Sequence, residues 1–252
     1  MPLFIVHPVG GNVMCYIELC KWIDEDRPIY GVQQAEINED ISEQFIAHMA
    51  AHYVKEIRRI QTKGPYYLAG WSLGGVLAEE MAYQLEQQGE EIKFLGLIDS
   101  YPNLRKWVEE LNQAELLLGF ADDLSGRYGV TLDIDKNVFN QMNQEQQLHY
   151  IFDKVKTHHL VSMDDSFKDF CKLVFQAEQN IKAALLHHPH QVNCKITTFQ
   201  VRKTMQALQN VNPWESYSKN KIQLFLLPGD HYSILAKHYA KKLAQKINKI
   251  LK

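Results

Sequence analysis

A serine with glycines two residues away on either side, Gly70-Trp71-Ser72-Leu73-Gly74, directly follows the apolar run Tyr66-Tyr67-Leu68-Ala69. A helix-like pattern of Val76, Leu77, Met81 and Leu85 begins at once after it. Strand, sharp turn and helix is the order that a nucleophile elbow requires. Such a turn forces its central residue into a strained backbone conformation, so the residues two positions away must be small. Ser72 Oγ would then stand at the carboxyl end of a sheet, with a helix N-terminus behind it. The pentapeptide alone also fits a glycine-rich turn whose serine caps a helix, so the rest of the chain must supply chemical partners.

A serine hydroxyl is a poor nucleophile near neutral pH and needs an adjacent base, itself oriented by a carboxylate. In this kind of scaffold the chain order is serine, acid, histidine. Leu227-Pro228-Gly229-Asp230-His231 places a histidine in a loop after the last strand, whereas His238 falls in the terminal helix, where a solvated position is expected. The acid often follows the strand after a helical insertion. Here that strand ends at about Val201 and runs into Arg202-Lys203-Thr204-Met205, without a carboxylate. Asp99, at the end of the preceding strand, is therefore the expected acid. Asp230 is the alternative, but a loop neighbour of His231 rarely reaches Nδ1 with usable geometry. The oxyanion of acyl transfer needs preorganised N–H donors. Leu73, the residue after the nucleophile, and Val9, in the turn Pro8-Val9-Gly10-Gly11, are the expected pair. His7 reads as a structural hydrogen-bonding residue that holds this loop.

The elements that must position these groups can be read from periodicity. Leu3–Val6, Ile29–Gln33, Tyr66–Ala69, Phe94–Ile98, Lys195–Val201 and Ile222–Leu227 read as strands. Met14–Ile23 reads as a short helix with Tyr16, Leu19, Trp22 and Ile23 on one face. A longer helix carries Ile41, Phe45, Met49, Tyr53, Ile57 and Ile60, with Asp40 as its cap. The elbow helix spans about Ser72 to Gln88, and a terminal helix turns Leu235, Tyr239, Leu243, Ile247 and Ile250 inward. Strands apolar on both faces and separated by helices indicate an α/β fold with a mostly parallel sheet, covered on both sides. Its working site belongs at the carboxyl ends of the strands, where Ser72, Asp99 and the Pro8–Asn12 loop all fall. From about 103 to 190 the strand signal disappears. Helical stretches at Leu104–Phe120, Phe139–Val155 and Phe167–Leu186 are separated by turn-formers at Ser125-Gly126, Gly129 and Ser162–Asp165. This segment is expected to be a mobile helical lid within a single domain, residues 1–252. Most of its apolar residues, such as Leu116, Leu117, Phe120, Phe139, Ile151, Phe152, Phe170 and Phe175, should pack lid on core, and a minority should line an acyl channel.

Composition restricts the function classes. With 252 residues, 46% apolar and 23% charged, the chain has the make-up of an ordinary soluble globular protein. Its net charge of −3 argues against nucleic acid as the main partner. No run of eighteen apolar residues is present, and the N-terminus lacks the pattern of a secretion signal. Cys15, Cys20, Cys171 and Cys194 follow no metal-binding or disulfide spacing, so free thiols in a reducing cytoplasm are expected. His187-His188-Pro189-His190 has no acidic or cysteine ligand flanking it in sequence and reads as a polar loop, so no metal is expected. The lysines of the last helix read as a solvated face that could attract an acidic partner.

Four motifs in order, His7-Pro8-Val9-Gly10-Gly11-Asn12-Val13, Gly70–Gly75, Leu97-Ile98-Asp99-Ser100 and Pro228-Gly229-Asp230-His231, resemble the thioesterase domains of nonribosomal peptide and polyketide synthetases. The resemblance covers the whole chain, including Pro213-Trp214-Glu215. It implies an α/β-hydrolase fold whose acid follows the strand after the nucleophile helix, in agreement with the separate argument for Asp99. Trp71 and the His7–Gly11 loop resemble the chain-terminating branch more than the stand-alone editing (type II) branch, and the abrupt start at a strand resembles a domain cut from a longer chain. The expected activity is release of an acyl, peptidyl or polyketide chain through an acyl-Ser72 intermediate, by hydrolysis or macrocyclisation. The substrate would arrive on the phosphopantetheine arm of an acyl or peptidyl carrier protein, with no bound cofactor. A general carboxylesterase and a non-catalytic carrier-docking module are the competing readings.

Overall fold

Continuous apolar runs with β-branched and aromatic residues have nowhere to go but the middle of a layered structure. In the computed structural model, which describes residues 1–24, 26–35, 41–102, 112–128, 130–207 and 212–251, they form a six-stranded sheet. The strands are β1 (Leu3–Val6), β2 (Ile29–Val32), β3 (Tyr66–Trp71), β4 (Ile92–Ile98), β5 (Ile196–Val201) and β6 (Gln223–Leu227), in the order β2-β1-β3-β4-β5-β6. Every neighbouring pair is parallel. Because side chains alternate along a strand, Phe4 and Val6 enter one core and Leu3 and Ile5 the other.

The helices cover both faces. On one face lie α2 (Phe45–Ile60) and α3 (Leu73–Gln87), whose Met49, Tyr53, Leu77 and Met81 pack on Phe4, Leu68 and Leu95. On the other lie α1 (Ile17–Cys20) and the terminal helix α9 (Lys237–Leu251), packed on Ile5, Trp71 and Phe199. Two expectations need adjusting. The first helix is a 3-10 turn, Met14–Tyr16, leading into the single-turn α1, and Trp22 beyond it is 40% exposed beneath the Lys241 ammonium. Helix α2 starts at Phe45 rather than near Ile41, and the expected cap Asp40 lies outside the described residues.

Between β4 and β5 the described residues form α4 (Gln113–Tyr128), α5 (Lys136–Asn140), α6 (Gln144–Thr157) and α7 (Phe167–Leu186). Their starts follow from local capping chemistry. The Asp135 carboxylate accepts from Asn137 and Val138 N–H, Asn143 and Gln146 form a capping box, and Ser166 Oγ accepts from Asp169 N–H. The Asn143 cap is also why the expected helix Phe139–Val155 is two helices. The expected stretch Leu104–Phe120 lies partly outside the described residues, and α4 continues straight through Ser125-Gly126. Leu117, Phe120, Phe139, Ile151 and Phe170 form a third core of the insertion's own, instead of packing mainly on the sheet. Phe175 is 62% exposed.

A short helix α8 (Arg202–Ala207) follows β5. Trp214, in the Pro213-Trp214-Glu215 segment, is fully buried and donates from Nε1 to the Ser100 carbonyl at 2.8 Å. Among the described residues, no helix is long and apolar enough to cross a membrane.

Candidate active site

Ser72 is the residue between β3 and α3, and its backbone sits at φ 57°, ψ −126°. This region is strained for any side chain other than glycine's. It is held there from both sides: Ser72 N–H donates to the Ile98 carbonyl at 3.0 Å, and Gly75 N–H to the Ser72 carbonyl at 3.0 Å. The turn closes tightly enough that a Cβ on Gly70 would lie 2.0 Å from the Gly74 carbonyl oxygen. One on Gly74 would lie 2.3 Å from the Val6 carbonyl oxygen. Both glycines are thus demanded by backbone packed on backbone.

Parallel pairing of β3, β4 and β5 sets Ser72 and Asp99 side by side at adjacent strand ends, and β6 delivers the loop that carries His231. His231 Nδ1 lies 2.7 Å from Asp99 Oδ2, and His231 Nε2 lies 3.2 Å from Ser72 Oγ. The carboxylate can only accept, so Nδ1 carries the proton and Nε2 turns its lone pair toward the serine hydroxyl. Asp99 is fully buried, with φ 39°, and its N–H donates to the Phe199 carbonyl at 2.7 Å. Its other oxygen, Oδ1, accepts from Val201 N–H at 3.1 Å and from the Tyr101 hydroxyl at 2.9 Å. Asp230, the alternative acid, is occupied elsewhere: its Oδ1 accepts from Ser233 N–H at 2.9 Å.

Two residues that sequence reasoning left without a role hold the imidazole in place. Trp71 donates from Nε1 to the His231 carbonyl at 3.0 Å, and its ring lies 5.0 Å from the imidazole centroid. Tyr232 meets the same imidazole edge-on at 5.2 Å. Only the aromatic neighbours of Ser72 and His231 in sequence could have signalled this.

Val9 and Leu73 both border the cavity beside Ser72, and among the described residues neither N–H has a protein acceptor. Leu73 N–H belongs to the first turn of a 15-residue helix, whose dipole also favours negative charge there. The Val9 loop is fixed by its own carbonyl, which accepts from Asn180 Nδ2 at 2.8 Å, and by His7. His7 Nδ1 donates to the Pro8 carbonyl at 2.7 Å, and Nε2 accepts from the Tyr53 hydroxyl at 2.7 Å. Burial lowers the His7 pKa from 6.5 to about 4 despite that carbonyl, so the ring is neutral and structural. His238 is exposed on α9.

The cavity has a volume of about 400 Å³. Its floor holds Ser72, Val76 and His231, and its roof is supplied by the insertion through Leu116, Phe120, Ala177 and Ile181. Chemically, the arrangement offers a nucleophile with its base, a buried carboxylate behind the base, two unengaged N–H donors and an apolar chamber.

A family model described as a thioesterase domain matches residues 1–251. The chain is 50% identical to the dimodular nonribosomal peptide synthase of Bacillus subtilis (strain 168) over 103 residues, which is 40% of this chain and 4% of that protein. It is 27% identical to the atromentin synthetase of Tapinella panuoides over 244 residues, covering 93% of this chain and 25% of that protein. The chain therefore spans a quarter or less of these curated relatives. Among solved structures, a four-domain holo nonribosomal peptide synthetase bound to AMP and glycine superposes with a TM-score of 0.90 at 28% identity, over 99% of this chain and 19% of that one. The NocB thioesterase domain in covalent complex with a fluorophosphonate nocardicin G analogue superposes with a TM-score of 0.68 at 21% identity, covering 100% of this chain and 94% of that one, and so shares the α/β-hydrolase fold.

Proposed function

Since this chain belongs to the thioesterase-domain family, we propose that it releases an acyl, peptidyl or polyketide chain from a phosphopantetheine thioester through a covalent acyl-Ser72 intermediate. The observation that carries the proposal is the relay Ser72 Oγ to His231 Nε2 at 3.2 Å and His231 Nδ1 to Asp99 Oδ2 at 2.7 Å. His231 takes the Ser72 proton as Oγ adds to the thioester carbonyl. Val9 and Leu73 N–H hold the oxyanion, and the thiolate leaves with the proton that His231 returns. Asp99 orients the ring and balances its transient charge. In the second half of the cycle His231 deprotonates either water or a nucleophile on the acyl chain itself.

The relatives that are synthetases support a carrier protein as the donor of the thioester. The helices between about 103 and 190 act as a lid over the acyl chamber, within one domain of residues 1–252. A reducing, cytoplasmic setting fits the spacing of Cys15, Cys20, Cys171 and Cys194, which matches no disulfide framework. Hydrolysis is the chemically simpler release, and ring closure needs a chamber that folds the chain back and sheds water. The apolar roof of the cavity leaves both routes physically open.

Reaction with a serine-directed fluorophosphonate and mapping of the adduct tests the intermediate. Label at Ser72, together with loss of turnover in Ser72→Ala, is expected; an unlabelled Ser72 with full activity in the variant would overturn it. A carrier- or pantetheine-linked thioester should be cleaved far faster than a p-nitrophenyl ester of the same acyl group. The reverse ranking would instead favour a general carboxylesterase. Mass spectrometry of products from acyl-pantetheines with a terminal amine or hydroxyl separates free acid from its dehydrated ring.

A further inference from the structure

The histidines of the loop leaving α7 have no acidic neighbour in sequence, but the fold provides two. Glu79 and Glu80 stand in the middle of α3, and both are buried, with 0% and 1% of their surface exposed. A carboxylate oxygen from each and a ring nitrogen of His187 lie within 4.8 Å of one another. Glu80 is partly satisfied: Oε1 accepts from Gln84 Nε2 at 2.8 Å, and Oε2 lies 3.0 Å from His190 Nδ1 and 3.9 Å from His187 Nε2. Glu79 is poorly satisfied: among the described residues only the His190 backbone N–H reaches toward its carboxylate, without a well-formed hydrogen bond, and His187 Nε2 has no partner.

One oxygen of the poorly satisfied Glu79, one of Glu80 and the orphaned imidazole nitrogen of His187 therefore meet at one buried spot. Buried polar groups normally find partners, and this convergence is one that a single cation would satisfy at once. We propose that Glu79, Glu80 and His187 form a binding site for a divalent transition-metal ion of the zinc class, outside the cavity that borders Ser72. One imidazole nitrogen and two carboxylate oxygens form a mixed donor set that suits zinc, with ligand distances of about 2.0–2.2 Å. Ligand atoms 3.9 Å apart are wider than a tetrahedral ion needs, so binding would draw His187 Nε2 toward Glu80 Oε2. His190 closes the outer side. Its ring stacks on Tyr83 at 4.0 Å and 5°, and its Nδ1 reaches Glu80, so it steadies a ligand or takes a fourth position itself. The ion would tie the middle of α3, whose N-terminus carries Ser72, to the point where the chain leaves the helical insertion.

The test uses the full chain, stripped with a chelator and titrated with Co²⁺ as a visible stand-in for Zn²⁺. One equivalent bound, with the intense d–d bands of a four- or five-coordinate site, is expected. Glu79→Gln and His187→Gln should each abolish those bands, whereas His158→Gln, an exposed histidine on another element, should leave them intact. Bands that survive Glu79→Gln or His187→Gln overturn the proposal, as does their absence from the unaltered chain. Should either variant fail to fold, the unaltered chain still decides: Zn²⁺ must raise its melting temperature and Mg²⁺ must not, and no rise with Zn²⁺ overturns the site. None of these readings depends on the acyl-serine chemistry.

Discussion

Asp99→Asn isolates the part of the site with the least freedom. The Asp99 carboxylate uses Oδ2 for His231 Nδ1 at 2.7 Å and Oδ1 for Val201 N–H at 3.1 Å and the Tyr101 hydroxyl at 2.9 Å. All three are served by acceptors, and an amide has only one. If the amide oxygen faces His231, its NH₂ confronts the Val201 N–H, a fixed backbone donor inside the core. A buried donor left unsatisfied costs about 1–3 kcal/mol, so the amide should turn its oxygen to Val201 and its NH₂ to His231. Nδ1 must then accept, the ring proton moves to Nε2, and Nε2 points a hydrogen instead of a lone pair at Ser72 Oγ. A wrong tautomer in an analogous relay lowers kcat by about 10⁴, which corresponds to about 5.4 kcal/mol of transition-state stabilisation. Steady-state cleavage of an acyl-pantetheine, with the fluorophosphonate labelling rate as a substrate-independent check, should both fall by three to four decades, while the fold stays intact by circular dichroism. A variant that kept more than a tenth of kcat/KM would refute the tautomer argument and move the acid to another residue.

Three further outcomes follow from the geometry. In Gly74→Ala the new Cβ presses on the Val6 carbonyl oxygen at 2.3 Å and the His7 carbonyl oxygen at 2.8 Å. It should cost about 1–3 kcal/mol in a denaturant melt and cut kcat disproportionately, because the displaced segment leads into Val9. Phe139→Ala removes a fully buried ring from the insertion's own core and should destabilise by about 3–5 kcal/mol, with hydrogen exchange rising first in α4 to α7 and hardly in the sheet. His7 has a folded pKa pushed down by burial to about 4. The unfolded chain therefore takes up a proton first as pH falls, so its contribution is fully present above about 6.5 and lost on the way to about 4. Melts across that window should show the loss, and His7→Gln should flatten part of it.

The sheet could be read from the sequence because a buried parallel strand is a continuous apolar run, and runs such as Leu3–Val6 admit few other structures. Ser72 and His231 could be located because an elbow leaves a glycine signature and the base belongs after the last strand. Asp99 followed by elimination, since Arg202–Met205 offers no carboxylate. The helical insertion was less legible. Its boundaries depend on caps such as Asn143, which local periodicity does not weigh. Its core could not be assigned to itself or to the sheet, because one amphipathic face looks the same against either. Ser125-Gly126 looks like a turn in sequence, yet it is helical: a Cβ on Gly126 would lie 2.5 Å from Tyr232 Cβ, so the glycine is there for a close approach. The Glu79–His187 meeting was invisible because more than a hundred residues separate its members in the chain.

The contact between Gly126 and Tyr232 has a mechanical meaning. Tyr232 is the residue after His231 and lies edge-on to its ring, so α4, at the notch left by Gly126, rests on the side chain that flanks the imidazole. Movement of α4 away from the sheet would unlatch that notch and loosen one wall around the imidazole, while Trp71 holds the other. The seating of α4 and the packing around the imidazole are thus tied together through a single close contact.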